Sequence, residues 1–142
     1  MNEYLNVIRN HYADFSGRAR RREYWMFSLI NAVVVILLEL PLLFSSMGAA
    51  VAGQEDWNPG GLVMLSLVLT ILYALFVFVP SLAATIRRLH DTGRSGWWYL
   101  INFVPFVGGL VLFIFLVMDS QPGANKWGPN PKGMQSAGAP AW

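Results

Sequence analysis

The sequence predicts an all-α integral membrane protein, on the basis of three apolar segments and of the composition. The segments are Tyr24–Phe44, Leu62–Ala84 and Trp97–Met118. Each is long enough to cross a hydrocarbon core of roughly 30 Å as a helix, which takes about 20 residues. Hydrophobic residues make up 55% of the 142-residue chain and charged residues only 13%. Because unpaired backbone groups are costly in lipid, such segments are expected to be helices rather than barrel strands.

Little sequence remains outside these segments, so residues 1–142 are predicted to form a single membrane domain. Residues 2–15 carry apolar side chains at the i, i+3, i+4, i+7 spacing of an amphipathic helix. We interpret it as an interfacial helix on the membrane surface, with folding against the ends of the spans as the alternative. Residues 119–142 are rich in Pro and Gly, which predicts an irregular tail.

The first span, 24–44, is expected to continue a helix that begins near Arg18, just after the helix breaker Ser16-Gly17. Spacing then places four residues on one helix face, namely Arg18, Arg21, Arg22 and Trp25. Glu39 lies near the outer end of this span, and its carboxylate is expected to snorkel to the outer interface.

The second span, 62–84, contains no charged residue. Its helix is predicted to continue through Arg87 and Arg88 and to end around His90–Gly93. Gly93 suits the left-handed conformation that often terminates a helix.

The third span, 97–118, is predicted to begin after a Ser95 cap and to be kinked at Pro105 and Gly108. The alternative is a re-entrant segment, because each half is short. A re-entrant segment has to be buried in protein, which three helices hardly supply. Three tryptophans are expected to anchor the spans at the membrane interface: Trp25, Trp97 and Trp98.

The distribution of charge predicts the topology. Arginines precede the first span and follow the second, whereas the loop 45–61 has no Lys or Arg and carries Glu55 and Asp56. The positive-inside rule therefore places the N-terminus and the loop 87–96 in the cytoplasm. Three spans then place the C-terminal tail on the opposite side, which is the periplasm in a bacterium.

Two arginine-rich segments are the candidate sites, because guanidinium groups bind phosphates and carboxylates in a bidentate manner. The candidate anion-binding or lipid-binding residues are Arg18, Arg21, Arg22, Arg87, Arg88, His90, Asp91 and Arg94. Asp91 is expected to orient His90 or to pair with Arg87, four residues earlier. The alternative is structural: a topology anchor before the first span and a capped loop after the second.

Known catalytic and metal-binding patterns are absent from the sequence. The chain has no cysteine, and its two histidines do not occur in an HExxH motif. No phosphate-binding loop or Gly-x-Ser-x-Gly motif is present, and no basic face predicts nucleic-acid binding. We therefore predict no catalytic residue, no metal, no cofactor and no nucleic-acid partner.

Three segments, in this order, resemble the signatures of the bacterial domain-of-unknown-function family 805. They are the segments Phe15–Trp25 (FSGRARRREYW), Arg87–Trp98 (RRLHDTGRSGWW) and Asn125–Pro131 (NKWGPNP). The resemblance covers about residues 4–132. It implies a small multi-pass protein of the bacterial inner membrane, in a family whose biochemical role is not established.

The expected function is that of a non-enzymatic membrane module. Its cytoplasmic arginine-rich face would bind anionic lipids or a partner membrane protein, and a bundle this small is expected to self-associate or to have such a partner. The alternative is a small transporter or membrane enzyme in which His90 and Asp91 handle protons or phosphate.

Overall fold

The computed structural model describes residues 2–132, which form four α-helices and one 3-10 helix. In chain order these are α1 (Asn2–Asn10), α2 (Arg21–Val51), α3 (Gly61–Asp91), the 3-10 helix (Gly96–Phe103) and α4 (Gly108–Val117). No β-strand occurs within the described range. The predicted all-α fold class is therefore confirmed.

The chain divides into two compact units. The first, which we call the polar unit, consists of Met1–Phe27 and Val79–Trp142; the second, the apolar unit, consists of Ser28–Phe78. The names refer to the buried charged side chains of the described residues, all of which belong to the polar unit: Arg18, Arg87, Arg88 and Asp91.

Helices α2 and α3 have 31 residues each and are the two helices of the described chain that are long and apolar enough to cross a membrane. A helix of that length extends about 46 Å, well beyond a hydrocarbon core of roughly 30 Å. The predicted spans 24–44 and 62–84 lie within these helices. Both are therefore confirmed as long apolar helices.

Within the apolar unit, the parts of α2 and α3 are linked by a polar contact, in which the Tyr73 hydroxyl donates a hydrogen bond to Asn31 Oδ1 at 2.5 Å. Near the connecting loop, the Trp57 indole N–H donates to Ser45 Oγ at 3.1 Å. Ala49 and Val63 are the buried hydrophobic residues of this unit. Most of its large apolar side chains therefore point outward.

The start of α2 differs from the prediction. The helix begins at Arg21 rather than near Arg18, because the residues before it are bonded to the end of α3. The Ala19 N–H donates to the Arg87 carbonyl at 3.0 Å, and the Arg18 side chain is bonded to Asp91. Arg18 therefore does not share a helix face with Arg21, Arg22 and Trp25.

Helix α1 ends at Asn10, five residues before the predicted end of the helix 2–15. Asp14 accounts for the difference, since its carboxylate accepts hydrogen bonds from His11 Nδ1 at 2.8 Å and from the Ser16 N–H at 3.0 Å. These bonds favour a compact turn over another helical turn.

Helix α1 packs against α2 and α3 within the polar unit. Val7 is fully buried with Phe27 and Ala84, and the Tyr4 ring stacks on Phe27 with 5.4 Å between ring centroids. The structure thus shows the contacts expected of a helix folded against the spans. Its position at the membrane surface stays a prediction.

The end of α3 agrees with the sequence. The helix continues through Arg87 and Arg88 to Asp91, and Gly93 has the left-handed φ of 79°. The Gly93 N–H bonds to the His90 carbonyl at 3.0 Å and the Arg94 N–H to the Leu89 carbonyl at 2.9 Å. This is the bonding pattern of a glycine-terminated helix.

The predicted third span, 97–118, is not one continuous helix, so a third spanning helix with a kink is not confirmed and its crossing of the membrane stays a prediction. The segment instead forms a helical hairpin, composed of the 3-10 helix, a turn at residues 104–107 and α4. The two arms pack together, with the Trp98 ring edge-on to Phe115 at 5.4 Å. A Cβ on Gly108 would collide with the Ile101 carbonyl oxygen, so glycine is what permits this close approach. Each arm extends about 15–16 Å, which is half of a hydrocarbon core.

The tail after the hairpin lies beside the segment that precedes α2. Arg18 donates hydrogen bonds to the carbonyl oxygens of Gln121 and Gly123, both at 2.7 Å. These bonds place residues of the tail next to the N-terminal segment, while the side of the membrane on which the tail lies stays a prediction. Residues 133–142 of the predicted tail lie outside the described range.

Candidate functional site: the buried Asp91 network

The site is centred on the Asp91 carboxylate at the C-terminal end of α3. Arg18 Nε donates to Asp91 Oδ1 at 3.0 Å, and Arg88 Nη1 donates to Oδ2. The Ser120 hydroxyl also donates to Oδ2, at 2.5 Å. Arg88 and Asp91 are fully buried. One carboxylate is thus shared by two guanidinium groups, and such a buried charge is stable only when it is paired in this way.

Arg18 connects three parts of the chain. Besides Asp91, its guanidinium donates to the carbonyl oxygens of Gln121 and Gly123, and at 3.2 Å to that of Asp91 itself. The side chain is almost completely buried. The segment before α2, the end of α3 and the tail are therefore fixed to one another by a single planar group with five donors.

Arg88 fixes the hairpin to the end of α3 by hydrogen bonds of the same kind. Its Nε donates to the Leu116 carbonyl oxygen at 3.0 Å, its Nη2 to that of Met118, and its Nη1 to that of Ala19 at 3.4 Å. The last carbonyls of a helix have no partner within the helix and carry partial negative charge. Arg88 thus caps the C-terminal end of α4 with a buried positive charge.

Arg87 pairs with Glu23 and not with Asp91, contrary to the predicted i, i+4 pair. Its Nη1 donates to Glu23 Oε1 at 2.9 Å, and both side chains are largely buried. Asp91 pairs with Arg88 instead, three residues earlier, and this leaves Arg87 for the neighbouring helix α2. Arg87 Nε and Nη2 are buried without a hydrogen-bond partner among the described residues.

From the sequence, Asp91 was expected to orient His90. In the structure, His90 contacts other residues instead. Its Nδ1 lies 3.1 Å from the Gly17 carbonyl oxygen, and its ring stacks on Trp127 with 4.5 Å between centroids. The Asn125 side chain donates to the His90 carbonyl oxygen at 2.9 Å. Because the Asp91 oxygens accept bonds from other groups, His90 and Asp91 do not form an acid–base pair in this structure.

Arg21 and Arg22 of the predicted site are more exposed, and so is their neighbour Arg20, which was not among the predicted residues. The side chains of Arg20, Arg21 and Arg22 are 45%, 44% and 75% exposed. Their ion pairs are long, with 3.4 Å from Arg21 to Asp119 and 3.6 Å from Arg22 to Glu3. Exposed pairs of this kind contribute little stability. Arg21 also donates a hydrogen bond to the Val117 carbonyl oxygen, at 3.3 Å.

Arg94 lies apart from the Asp91 network. Its guanidinium is 4.0 Å from the centroid of the Phe115 ring, and its Nη1 donates to the Thr92 carbonyl oxygen at 3.2 Å. A cation over an aromatic face is attracted by the ring quadrupole. Arg94 therefore connects the loop after α3 to the hairpin.

The three predicted tryptophan anchors are exposed, Trp97 most of all. Trp25 is edge-on to Phe113 of α4 at 5.8 Å, and Trp98 of the 3-10 helix is edge-on to Phe115 of α4 at 5.4 Å. Glu39 lies in a groove on α2, together with Ile36 and Leu43. Its predicted snorkelling to the outer interface stays a prediction.

Two further features complete the chemistry of the described residues. They contain no group of three or more His, Cys, Asp or Glu side chains that could hold a metal ion. Outside the Asp91 network, Asp14 accepts hydrogen bonds from the Ser16 hydroxyl and from His11, and these bonds lower the pKa of its carboxyl group to about 2.

Sequence reasoning missed the partners that the network takes from α2, the hairpin and the tail. These are Glu23, Leu116, Met118, Ser120, Gln121, Gly123, Asn125 and Trp127. Half of these partners are backbone carbonyl oxygens, which the types of side chain in the sequence do not identify. The segment Asn125–Pro131 did contain a signal, because it resembles a family signature although it has no catalytic residue type.

Comparison with known proteins places this chain among bacterial membrane proteins. Residues 12–129 match the family described as "Protein of unknown function (DUF805)". The chain is 42% identical to inner membrane protein YhaH of Escherichia coli K12, over 93% of this chain and 98% of that protein. It is 44% identical to inner membrane protein YhaI of the same strain, over 93% of this chain and 97% of that protein.

No solved structure is significantly similar to the chain. The family match extends from the turn after α1 into the tail and includes the three segments that resemble its signatures. The two long apolar helices are consistent with a location in the inner membrane, where both relatives are found. The chain is a small inner-membrane protein and belongs to the DUF805 family.

Proposed function

We propose that this protein is a non-enzymatic membrane module whose exposed arginines, Arg20, Arg21 and Arg22, bind the headgroups of anionic lipids. The observation that carries the proposal is the separation of the arginines into two sets. Arg18, Arg87 and Arg88 are buried and bonded within the protein, whereas these three are exposed where α2 begins. Of these six arginines, only the exposed three are available to a ligand from outside.

Their position at a helix N-terminus supports this function. Cations are unfavourable there, because the N-terminal end of a helix carries partial positive charge. Three adjacent guanidiniums at this end therefore do not serve helix stability. They do create a strongly positive site, which is complementary to lipid phosphates at the surface of the cytoplasmic leaflet.

The proposal includes a topology with two spans, α2 and α3, and a cytoplasmic N-terminus. The hairpin enters the membrane from the cytoplasmic side and returns to it, so that residues 119–132 are cytoplasmic as well. The short arms of the hairpin and the contacts of its end with Arg88 support this arrangement.

The turn of the hairpin supports a protein partner in the membrane. Phe106 is fully exposed at the turn, and irregular backbone at membrane depth has to be covered by protein. Two hydrogen bonds within the turn reduce the number of backbone groups that need such cover. The Val107 N–H donates to the Pro105 carbonyl and the Gly108 N–H to the Val104 carbonyl, but the remaining groups still need a partner. We propose that a second copy of the chain or a partner membrane protein covers the turn.

A lipid-competition experiment tests the arginine function. The full-length protein, in detergent with equal amounts of phosphatidylglycerol and phosphatidylethanolamine, is analysed by native mass spectrometry for retained lipid. Replacing Arg21 and Arg22 by Gln should lower the preference for the anionic lipid by roughly 10- to 30-fold, since each contributes about 1 kcal/mol. The matched control replaces Arg9 and Lys126 by Gln, which removes the same charge elsewhere and should leave the preference unchanged. An equal loss in both variants would contradict the proposal.

A further inference from the structure

The exposed arginines at the start of α2 have carboxylates of the protein itself as neighbours. Glu3, in the first turn of α1, lies between two of them. A single oxygen, Glu3 Oε1, is 3.9 Å from Arg20 Nη2 and 3.6 Å from Arg22 Nε. An anionic oxygen of the protein thus lies between two of the three guanidiniums that the proposed function assigns to lipid.

A second carboxylate, that of Asp119 after α4, is the neighbour of the third arginine. Its Oδ2 is 3.4 Å from Arg21 Nη2, and its Oδ1 accepts hydrogen bonds from Lys132 Nζ and, at 2.8 Å, from the Ser120 N–H. The bonds from Lys132 and Ser120 lower the pKa of the Asp119 carboxyl group, so it is charged at neutral pH. Asp119 is therefore shared by two cations, as Glu3 is.

The pairs of these carboxylates with the arginines are weak. Their N–O distances of 3.4 Å, 3.6 Å and 3.9 Å exceed the range of about 2.7–3.2 Å that is typical of hydrogen bonds. The three arginine side chains are 44% to 75% exposed, and exposed ion pairs contribute little free energy. A phosphate can form shorter, charge-assisted bonds with a guanidinium, so it can replace either carboxylate.

Such an exchange requires only the movement of side chains. Glu3 stays near the N-terminal end of α1, whose partial positive charge favours a carboxylate, and Asp119 keeps its bond from the Ser120 N–H. The backbones of α1 and the tail are held elsewhere, by the buried Val7 and by the bonds of Arg18. The carboxylates can therefore leave the arginines without unfolding either segment.

We propose that Glu3 and Asp119 are internal competitors of the lipid site: each occupies its arginines in the absence of anionic lipid and is displaced by a lipid phosphate. The affinity of the site is then set by α1 and the tail as well as by the arginines. This inference rests on the proposed function, because it concerns the same arginines. The two can fail separately, since arginines that bind lipid regardless of both carboxylates would overturn the competition alone.

Removing either carboxylate tests the competition. The preference of the full-length protein for phosphatidylglycerol over phosphatidylethanolamine is measured by native mass spectrometry, as for the arginine variants. Glu3→Gln and Asp119→Asn should each raise this preference by about 1.5- to 5-fold, which corresponds to the loss of an exposed ion pair. The matched controls are Glu55→Gln and Asp56→Asn, which remove the same charge from the exposed loop between α2 and α3 and should leave the preference unchanged.

A double-mutant cycle distinguishes occupation of the arginines from a general effect of charge. In a protein that carries Arg21→Gln and Lys132→Gln, Asp119 has lost both of its cationic partners. Adding Asp119→Asn should then have no further effect on the lipid preference. Adding Glu3→Gln to the same protein should still raise it, because the cations beside Glu3 are intact.

Three outcomes would overturn the proposal. An unchanged lipid preference in Glu3→Gln and Asp119→Asn would show that neither carboxylate competes, while the lipid site itself would stand. An equal rise in the loop controls, or a full effect of Asp119→Asn without Arg21 and Lys132, would show a general effect of charge. The absence of any preference in the wild-type protein and in both carboxylate variants would overturn the lipid site as well. If Glu3→Gln weakens α1, the Asp119 variants decide the question alone.

Discussion

In the polar unit, Arg88 and Asp91 are fully buried, whereas in the apolar unit Ile36 and Leu75 expose 61% and 68% of their surface. The polar unit thus buries paired charges beside hydrophobic clusters, and the apolar unit presents most of its large hydrophobic side chains to the surroundings. Lipid stabilises the second arrangement, since it solvates apolar side chains as well as a protein interior does. The specific tertiary contacts of this chain are therefore concentrated in the polar unit.

The largest expected effect is that of Asp91→Asn, which removes the charge shared by Arg18 and Arg88. Two buried guanidiniums are left uncompensated, so the free energy of unfolding should fall by about 3–5 kcal/mol. Thermal unfolding of the purified protein measures the change. The control is Asp119→Asn, because Asp119 is an exposed carboxylate that pairs with Arg21 and Lys132, and little change is expected. Equal stability of both variants would contradict a structural role for the buried pair.

A second test compares two adjacent glycines of the hairpin. Gly108→Ala places a Cβ against the Ile101 carbonyl oxygen and should destabilise the hairpin by about 1–3 kcal/mol. In Gly109→Ala the added Cβ has ordinary contact with Asn102, at 3.6 Å, and alanine favours the helix. Protease sensitivity of the turn should therefore rise only in the first variant. Matching behaviour of the two variants would show that the arms do not pack closely.

A third test sets one ion pair of the polar unit against one hydrogen bond of the apolar unit. Glu23→Gln removes the charged partner of Arg87 and should cost about 1.5–3 kcal/mol. Tyr73→Phe removes the bond to Asn31 and should cost about 0.6 kcal/mol, which is the average for such bonds between membrane helices. Reversible unfolding in mixed micelles compares them. A larger loss for Tyr73→Phe would reverse the assignment of specific contacts to the polar unit.

The smallest effect concerns the turn after α1. The folded-state pKa of Asp14, about 2, lies below its ordinary value of 3.8, so its stabilising contribution is present above pH 3.8 and is lost as the pH falls towards 2. Ser16→Ala should raise this pKa, because the Ser16 hydroxyl is the main cause of the shift. The loss of stability should stay below about 1 kcal/mol, since the group is partly exposed. Titration of the Asp14 carboxyl by NMR measures it; an unchanged pKa in Ser16→Ala would remove the assigned cause.

The sequence predicted the two long helices because each apolar run is long enough to cross a hydrocarbon core as a helix, which takes about 20 residues. It also predicted the end of α3, since Gly93 is a local signal. The third segment was predicted as one kinked helix and consists of two short helices, because hydropathy does not show where a long apolar run folds back on itself. Gly108 in fact permits the two arms of the hairpin to approach, and this depends on the distant Ile101 carbonyl.

The candidate site was predicted only in part. The arginines, His90 and Asp91 were identified, but their division into buried and exposed sets could not be. That division depends on the tail, whose backbone carbonyls at Gln121 and Gly123 bind Arg18 across more than 100 positions of sequence. A carbonyl oxygen is present at every residue, so no pattern of side chains indicates which ones serve as acceptors.

Cysteine accessibility across the membrane tests the central claim of this account most directly, and the chain has no cysteine that would interfere. Single substitutions Asn10→Cys, Gln54→Cys and Lys126→Cys are labelled in intact cells with a thiol reagent that does not cross the inner membrane. The account predicts that Gln54→Cys reacts from the periplasm, whereas Asn10→Cys and Lys126→Cys react only after the membrane is permeabilised. Labelling of Lys126→Cys from the same side as Gln54→Cys would show that the third segment crosses the membrane, and would contradict the hairpin.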